Sequence, residues 1–295
     1  MPPLASPEFE GLTAAALAQA KARQGATVSV CIPAWNEEAT IGEIVATVRR
    51  ELMERTAVVD ELIVLDDGST DHTAAEARAH GATVVAVEEI LPDLPAGSGK
   101  GNTLWKSLYA STGDVLCFLD ADVRNFGAHF VTRLLAPLFE ADAIGMVKAF
   151  YRRPFGGEPT GGGRVTELMA RPVLTYLFPA LTRFAQPLAG ECAARRSVLE
   201  TVPFVEGWGV EIGLLIDVAR EFGHASVTQV DLGVREHRNR PLEELGPQAL
   251  AILVTALRRA GIERGAEHVD VEARERPPML TVPAYRAKFG RELTA

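Results

Sequence analysis

The chain has 295 residues, 47% of them hydrophobic and 23% charged, which is enough apolar material for one large α/β domain or one domain with an appendage. A formal net charge of −9 excludes a uniformly basic nucleic-acid binder, so any phosphate must be met by local basic groups, backbone amides or a metal. No run of about 18 or more apolar residues occurs, so no membrane span is predicted.

Residues 1–26 read as a leader, helical from Leu12 to Arg23, without the basic start and apolar core of a signal peptide. Val28, Val30 and Ile32 alternate with smaller residues in TVSVCIP (27–33), the pattern of a strand. Ile41, Ile44, Val45, Val48 and Leu52 then fall at helical spacing, and Thr40 with Glu43 predicts a capping box at that helix's start. ELIVLDDGSTD (61–71) is a second strand running into acidic turn residues, TAAEARAHG (73–81) a short helix closed by Gly81, and ATVVAV (82–87) a third strand. Residues 101–112 predict a helix and DVLCFLDAD (114–122) a fourth strand. Strands and helices in alternation imply a parallel sheet with right-handed crossovers, whose ligands bind beyond the carboxyl ends of the strands. Three strands end in polar turns, Pro33-Ala34-Trp35-Asn36-Glu37, Asp66-Asp67-Gly68 and Asp120-Ala121-Asp122, and all three are expected on one edge.

The second half starts near residue 143. GGEPTGGGR (156–164) is a glycine-rich loop, and 166–185 is an apolar helical stretch interrupted by Pro172 and Pro179. GWGVEIGLLIDVAREFG (207–223) is a helix entered through glycines and stopped by Gly223. A strand over 226–234 leads into REHRNRP (235–241), followed by an amphipathic helix over about 243–260. The expected organisation is a leader (1–26), a nucleotide-binding half (27–142), a smaller acceptor half (143–262) and a charged, proline-containing surface tail or arm (263–295). Cys31, Cys117 and Cys192 form no CxxC pair, as expected of buried free thiols in a cytoplasmic protein.

Unpaired buried charges are costly, so a core strand that ends in Asp120-Ala121-Asp122 needs a reason. In an extended tip, residues two apart point the same way, and two carboxylates could then converge on Mg²⁺, a hard ion suited to carboxylate and phosphate oxygens. A solvated turn is the alternative, and D-x-D alone does not decide. GSGKG (97–101) is not a P-loop, because Gly101 replaces the required Ser or Thr; it reads as a flexible loop placing Lys100 at the mouth of a site. GGGR (161–164) before VTEL is a glycine loop entering a helix, where exposed amides, the helix dipole, Arg164 and Thr166 favour a phosphate. His237, beside such a site, is a candidate metal ligand as a neutral imidazole.

VSVCIPAWNEEATIG, VLDDGSTD and FLDADV together resemble the nucleotide-sugar half of a GT-A fold glycosyltransferase over about residues 27–125. The downstream segments PAGSGKGNTLW, VKAFYRRP, GGGRVTEL, PLAGE, GWGVEIGLLID and DLGVREHRNRP resemble the glucosyl-3-phosphoglycerate synthases and their mannosyl-transferring relatives, over about 27–262. One departure is a shorter stretch between Arg153-Pro154 and Gly161.

The resemblance implies an α/β GT-A fold, a mostly parallel Rossmann-like sheet with flanking helices, and a retaining, metal-dependent hexosyltransferase. UDP-glucose or GDP-mannose would donate to the 2-hydroxyl of 3-phosphoglycerate. It implies donor contacts from Pro33, Ala34, Trp35, Asn36, Glu37, Asp67, Lys100, Asp120, Ala121, Asp122, Leu188 and Glu211. Acceptor contacts would come from Gly163, Arg164, Thr166 and Asn239, and Mg²⁺ or Mn²⁺ ligands from Asp122 and His237. Lys100, Glu211 and the Leu188 carbonyl are the expected catalytic groups; Glu191 and Glu211 are the candidate nucleophiles if the reaction is a double displacement. A front-side route, in which the leaving phosphate oxygen takes the acceptor proton, is the preferred alternative. A homodimer is expected from the apolar 166–185 face, with no nucleic-acid or membrane partner. A polyprenyl-phosphate glycosyltransferase would share the first half but needs membrane-associating segments in the second. A non-catalytic nucleotide-sugar-binding module would have no use for GGGR or HRN.

Overall fold

In the computed structural model, which describes residues 12–156, 158–237, 241–262 and 274–292, a seven-stranded sheet forms the centre. Its strands are β1 (Val28–Ala34), β2 (Glu61–Asp66), β3 (Thr83–Ala86), β4 (Val115–Phe118), β5 (Met146–Arg152), β8 (Cys192–Arg195) and β10 (Val227–Val234). The order is β10-β5-β8-β4-β1-β2-β3, parallel throughout except for β8, which runs antiparallel between β4 and β5. Two short antiparallel pairs stand apart: the hairpin of β6 (Pro154–Phe155) with β7 (Glu158–Gly161), and the long-range pair of β9 (Phe204–Val205) with β11 (Glu275–Arg276).

Helices cover both faces of the sheet. On one side pack α1 (Ala14–Gln24), α2 (Ile41–Thr47), α3 (Thr73–Ala79) and α5 (His129–Glu140), which bring Leu17, Ile44, Ala77 and Leu134 against Val30 and Ile32. On the other lie α4 (Gly99–Ala110), α6 (Arg171–Leu177), α8 (Val210–Phe222), α9 (Leu245–Arg259) and α10 (Pro283–Phe289). These bring Trp105, Leu174, Leu214, Ile252 and Tyr285 against Cys31, Ile63 and Phe118. The remaining short helix, α7 (Arg196–Leu199), follows β8. A strand covered on both faces is apolar along most of its length, which is why VSVCIP reads as a run as much as an alternation; its polar exception, Ser29, is buried and donates to Glu61 at 2.5 Å. Each fully buried Val, Leu or Ile in this core contributes about 1.5–3 kcal/mol.

The expected strand ends on one edge are present: β1, β2 and β4 are parallel neighbours, with Ala34 paired to Asp66 and Cys31 to Phe118. The expected split at 142/143 runs through a single continuous sheet, because β5, β8 and β10 continue it. The described part of the leader, residues 12–26, packs onto the domain: buried Lys21 of α1 pairs with Asp60 at 2.7 Å, and Asp60 also accepts the Val28 amide.

Four local expectations need correction. The capping box does not form; Thr40 Oγ1 donates instead to the Ala121 carbonyl at 2.6 Å, so the start of α2 is tied to the Asp120–Asp122 turn. Gly99 and Lys100 belong to the first turn of α4, not to a flexible loop. β4 ends at Phe118, so Asp120 to Asp122 form a turn, not an extended tip. Residues 274–292 do not trail over the surface: β11 pairs with β9, and Arg276 and Tyr285 are buried. All three cysteines are free and buried. Among the described residues, no helix is long and apolar enough to cross a membrane.

Candidate active site

A cleft of about 860 Å³, open mouth included, lies beyond the carboxyl ends of β4 and β5. It gathers Lys100 from α4, Asp120 and Asp122 from the β4 turn, and Gly163, Arg164 and Thr166 from the glycine turn. Leu188 and Gly190 come from the segment before β8, Trp208 and Glu211 from the start of α8, and Arg235 and His237 from the segment after β10. Thus nine predicted residues share one cavity: Lys100, Asp120, Asp122, Gly163, Arg164, Thr166, Leu188, Glu211 and His237.

Pro33 to Glu37, Asp67 and Ala121 do not line this cleft; they lie at or just after the carboxyl ends of β1, β2 and β4, on the rim of the same sheet edge. There Trp35 is 61% exposed. Asn36, held at φ 55°, accepts the Thr70 amide at 2.8 Å, a left-handed position that Asn tolerates better than most residues. The Glu37 amide donates to Thr73 Oγ1 at 2.7 Å, and the Asp67 amide to the Ala34 carbonyl at 3.0 Å. Burial pushes the Asp67 carboxyl above its ordinary range, against a hydrogen bond from Thr103 and the charge of Lys106. Asn239 lies outside the described residues.

A charge network organises the cleft floor. Lys100 Nζ sits 2.5 Å from Asp120 and 3.0 Å from Glu211. Arg235, 3% exposed, reaches Asp120 at 2.8 Å, Asp122 at 2.7 Å and Glu191 at 2.5 Å. It is Arg235, therefore, that makes Asp120 and Asp122 converge. Burial works against each charge, yet the partners win: Lys100 and Arg235 hold their protons more firmly than usual, and Asp120 stays ionised well below the usual range. Glu191 is wholly buried, and its second oxygen accepts the Tyr151 hydroxyl at 2.6 Å. With one oxygen on Arg235 and the other on Tyr151, Glu191 supports the floor and is not placed to attack a substrate.

Sequence reading did not pick out Arg235, which sits in a polar segment that looks solvated, nor the buried lysine Lys148. Burial lowers the Lys148 pKa, and its ammonium donates to the Ala189 carbonyl at 2.6 Å, fixing the segment that presents Leu188 and Gly190. The signals available were a cation directly after a strand pattern for Arg235 and a lysine inside an apolar strand run for Lys148.

A divalent ion finds a suitable but incomplete shell here. Burial, then the charges of Arg235 and Arg153, pull the His237 pKa down to about 4, so the imidazole is neutral and its lone pair available at neutral pH. Asp122 supplies a carboxylate in the same cleft. No group of three or more His, Cys, Asp or Glu is arranged for a metal among the described residues, so a bound ion would draw further oxygens from its substrate.

A carboxyl-edge cleft with a converging Asp pair, a paired lysine and a separate glycine turn defines a nucleotide-sugar-dependent transferase. The chain belongs to glycosyl transferase family 2, matched over residues 29–201, and within it to the glucosyl-3-phosphoglycerate synthases. It is 41% identical to glucosyl-3-phosphoglycerate synthase of Petrotoga mobilis, over 94% of this chain and 93% of that protein. With the enzyme of Mycolicibacterium paratuberculosis it shares 50% identity over 85% of this chain and 77% of that one. The Mycobacterium tuberculosis glucosyl-3-phosphoglycerate synthase, crystallised with Mn²⁺, UDP-glucose and phosphoglyceric acid, is similar in structure with a TM-score of 0.84. Identity there is 45%, covering 92% of this chain and 95% of that chain. The protein is a glycosyltransferase with the GT-A fold.

Proposed function

We propose that this enzyme transfers glucose from UDP-glucose to the 2-hydroxyl of 3-phosphoglycerate, with retention of configuration. The observation that carries the reading is the meeting of two different anion sites in one cleft: the Lys100–Asp120–Asp122 floor and the Gly163–Arg164–Thr166 turn. The similar Mycobacterium tuberculosis structure holds UDP-glucose and phosphoglyceric acid together, which supports the same pair of substrates here.

Asp122 and His237 would hold Mg²⁺ or Mn²⁺, the ions present in the similar crystal structures. When bound, the ion offsets charge on the diphosphate leaving group. Lys100 adds a fixed positive charge beside the same group, an electrostatic contribution that grows as the glycosidic bond breaks. The rim formed by Pro33 to Glu37, with Asp67, receives the nucleoside, and Asp120 and Glu211 receive sugar hydroxyls. Gly163, Arg164, Thr166 and Asn239 hold the acceptor phosphate.

Retention proceeds by the front-side route. Glu191 is buried with both oxygens engaged, which removes one of the two candidate nucleophiles. Glu211 is held against Lys100 and suits hydroxyl recognition. The Leu188 carbonyl then hydrogen-bonds in the cleft as the acceptor proton passes to the leaving phosphate oxygen. We also propose a cytoplasmic homodimer, joined through the 166–185 face, where Leu168 and Tyr176 are 73% and 85% exposed.

The test is a panel of UDP- and GDP-linked glucose and mannose against 3-phosphoglycerate with Mg²⁺ or Mn²⁺. Glucosyl-3-phosphoglycerate formed from UDP-glucose is the expected product. Preference for GDP-mannose would reassign the donor, and no transfer from any of the four would leave a binding module.

A further inference from the structure

The acceptor proposed above carries two anions, a phosphate on C3 and a carboxylate on C1, next to the carbon that bears the reacting hydroxyl. The glycine turn accounts for the phosphate. We infer that Arg153 is the carboxylate-binding residue and so determines acceptor specificity; this rests on the proposed function. Four observations lead there.

First, Arg153 lines the cleft, and its side chain stands beside the glycine turn: a β-carbon on Gly163 would lie 3.9 Å from both Arg153 Nη1 and Thr166 Cβ. The guanidinium and the phosphate-binding residues therefore flank the same small volume. Second, Arg153 lines the same cleft as Asp120 and His237, so it borders the reacting end as well as the phosphate end. An acceptor laid from the glycine turn toward the Asp120 side passes alongside it.

Third, Arg153 has a charge to spend. The other floor cations are matched: Lys100 to Asp120 and Glu211, Arg235 to Asp120, Asp122 and Glu191. No carboxylate among the described residues lies within ion-pair distance of Arg153. Its Nη2 donates to the Tyr151 hydroxyl at 2.9 Å and its guanidinium lies 4.9 Å from the Tyr151 ring centre, while Nε is buried with no hydrogen-bond partner. A buried donor without an acceptor is costly, and a planar guanidinium suits a carboxylate above other anions. Fourth, its position is fixed independently of its side chain. The Arg153 carbonyl accepts the Gly162 amide at 3.1 Å, a backbone bond that survives any substitution and keeps the turn in place.

The test uses two acceptors that differ by the carboxylate alone. Glycerol 3-phosphate keeps the phosphate and the secondary hydroxyl of 3-phosphoglycerate but has CH₂OH where the carboxylate stands; a similar Mycobacterium tuberculosis enzyme has been crystallised with it. Full-length wild type, Arg153→Met and Arg153→Lys are assayed with both at fixed UDP-glucose and metal. Where glycerol 3-phosphate is not turned over, its Ki as a competitive inhibitor replaces kcat/KM. The expected result is a fall of about tenfold to a hundredfold for 3-phosphoglycerate in Arg153→Met, with glycerol 3-phosphate changed less than about threefold, so that selectivity collapses. Arg153→Lys keeps part of the preference. Equal losses on both acceptors, or unchanged selectivity, would overturn the assignment. Failure of wild type to use 3-phosphoglycerate at all would instead overturn the proposed function, so the two failures are told apart.

Discussion

Gly190 lies so close against Lys100 that a β-carbon at this position would overlap the ammonium group; it would also stand 2.6 Å from Asp120 Oδ2. Its backbone is not in the left-handed region, so alanine meets no conformational strain there. The cost of Gly190→Ala falls on the site alone: Lys100 and Asp120 must separate or shift together. We expect kcat/KM to fall about a hundredfold, with a melting temperature near that of the wild type. Steady-state kinetics and a thermal melt check both halves, and an active Gly190→Ala enzyme would show that the Lys100–Asp120 contact is not needed in turnover.

Asp122 shares Arg235 with Asp120 and Glu191. Removing it leaves that buried guanidinium with two carboxylates, so Asp122→Ala is expected to fold. The proposed metal site, however, would lose one of the two protein ligands assigned to it. Turnover across an Mg²⁺ or Mn²⁺ titration should drop by about a hundredfold or more and should not saturate in the usual range. Normal metal-dependent activity in this variant would remove Asp122 from the metal site.

The nucleoside role proposed for Asp67 has a counterpart in stability. Burial raises its folded pKa above the ordinary carboxylate value, so the folded state binds that proton more readily than the unfolded state. The stability this supplies is complete below the ordinary range and is lost as pH rises through the raised folded value. Asp67→Asn cannot ionise and escapes the loss. Its melting temperature should exceed the wild type's by about 1–3 °C at neutral pH, with the gap closing in acid. UDP affinity should fall at the same time. Melting curves from acid to neutral pH test the sign; a gap that widens on acidification would contradict it.

Much of this site was legible because its carboxylates end apolar runs. Val115 to Leu119 can only be buried, so Asp120 and Asp122 announce themselves at the strand's end, as Asp66 and Asp67 do after Glu61–Leu65. The counter-charges were not legible in the same way. Arg235 opens REHRNRP, a segment that reads as solvated, and only the return of β10 beside β5 brings it under Asp120 and Asp122. Strand β8 escaped because it is four residues long, CAAR, three of them small, and carries no periodicity, and its antiparallel insertion breaks the strand–helix alternation. Thr40 has the spacing of a capping box, but its hydroxyl takes the better-placed Ala121 carbonyl. Local pattern thus identifies groups that need a partner; chain topology chooses the partner.

The C-terminal arm is the clearest case, and it gives the last prediction. Charge and proline make 263–295 read as a surface tail, yet Arg276 is threaded beneath the segment that carries Lys100. Its Nη1 donates to the Pro95 carbonyl at 2.8 Å, its Nε to Asn102 Oδ1 at 2.9 Å, and its guanidinium packs 5.3 Å from the Trp105 ring centre. It also pairs at 2.9 Å with Glu206, which accepts the Ser98 amide and leads into Trp208 and Glu211. One residue therefore holds together the chain segments on which both Lys100 and Glu211 depend. Arg276→Met should strand Glu206, which is only 10% exposed, at a cost of about 3–5 kcal/mol, and should lower kcat/KM about tenfold or more through misplacement of Lys100. Adding Glu206→Gln removes the stranded charge and should restore much of the melting temperature while leaving activity low, because the tie between the two segments is still missing. A single Arg276→Met variant matching the wild type in melting temperature and kcat/KM would show that the arm merely covers the site.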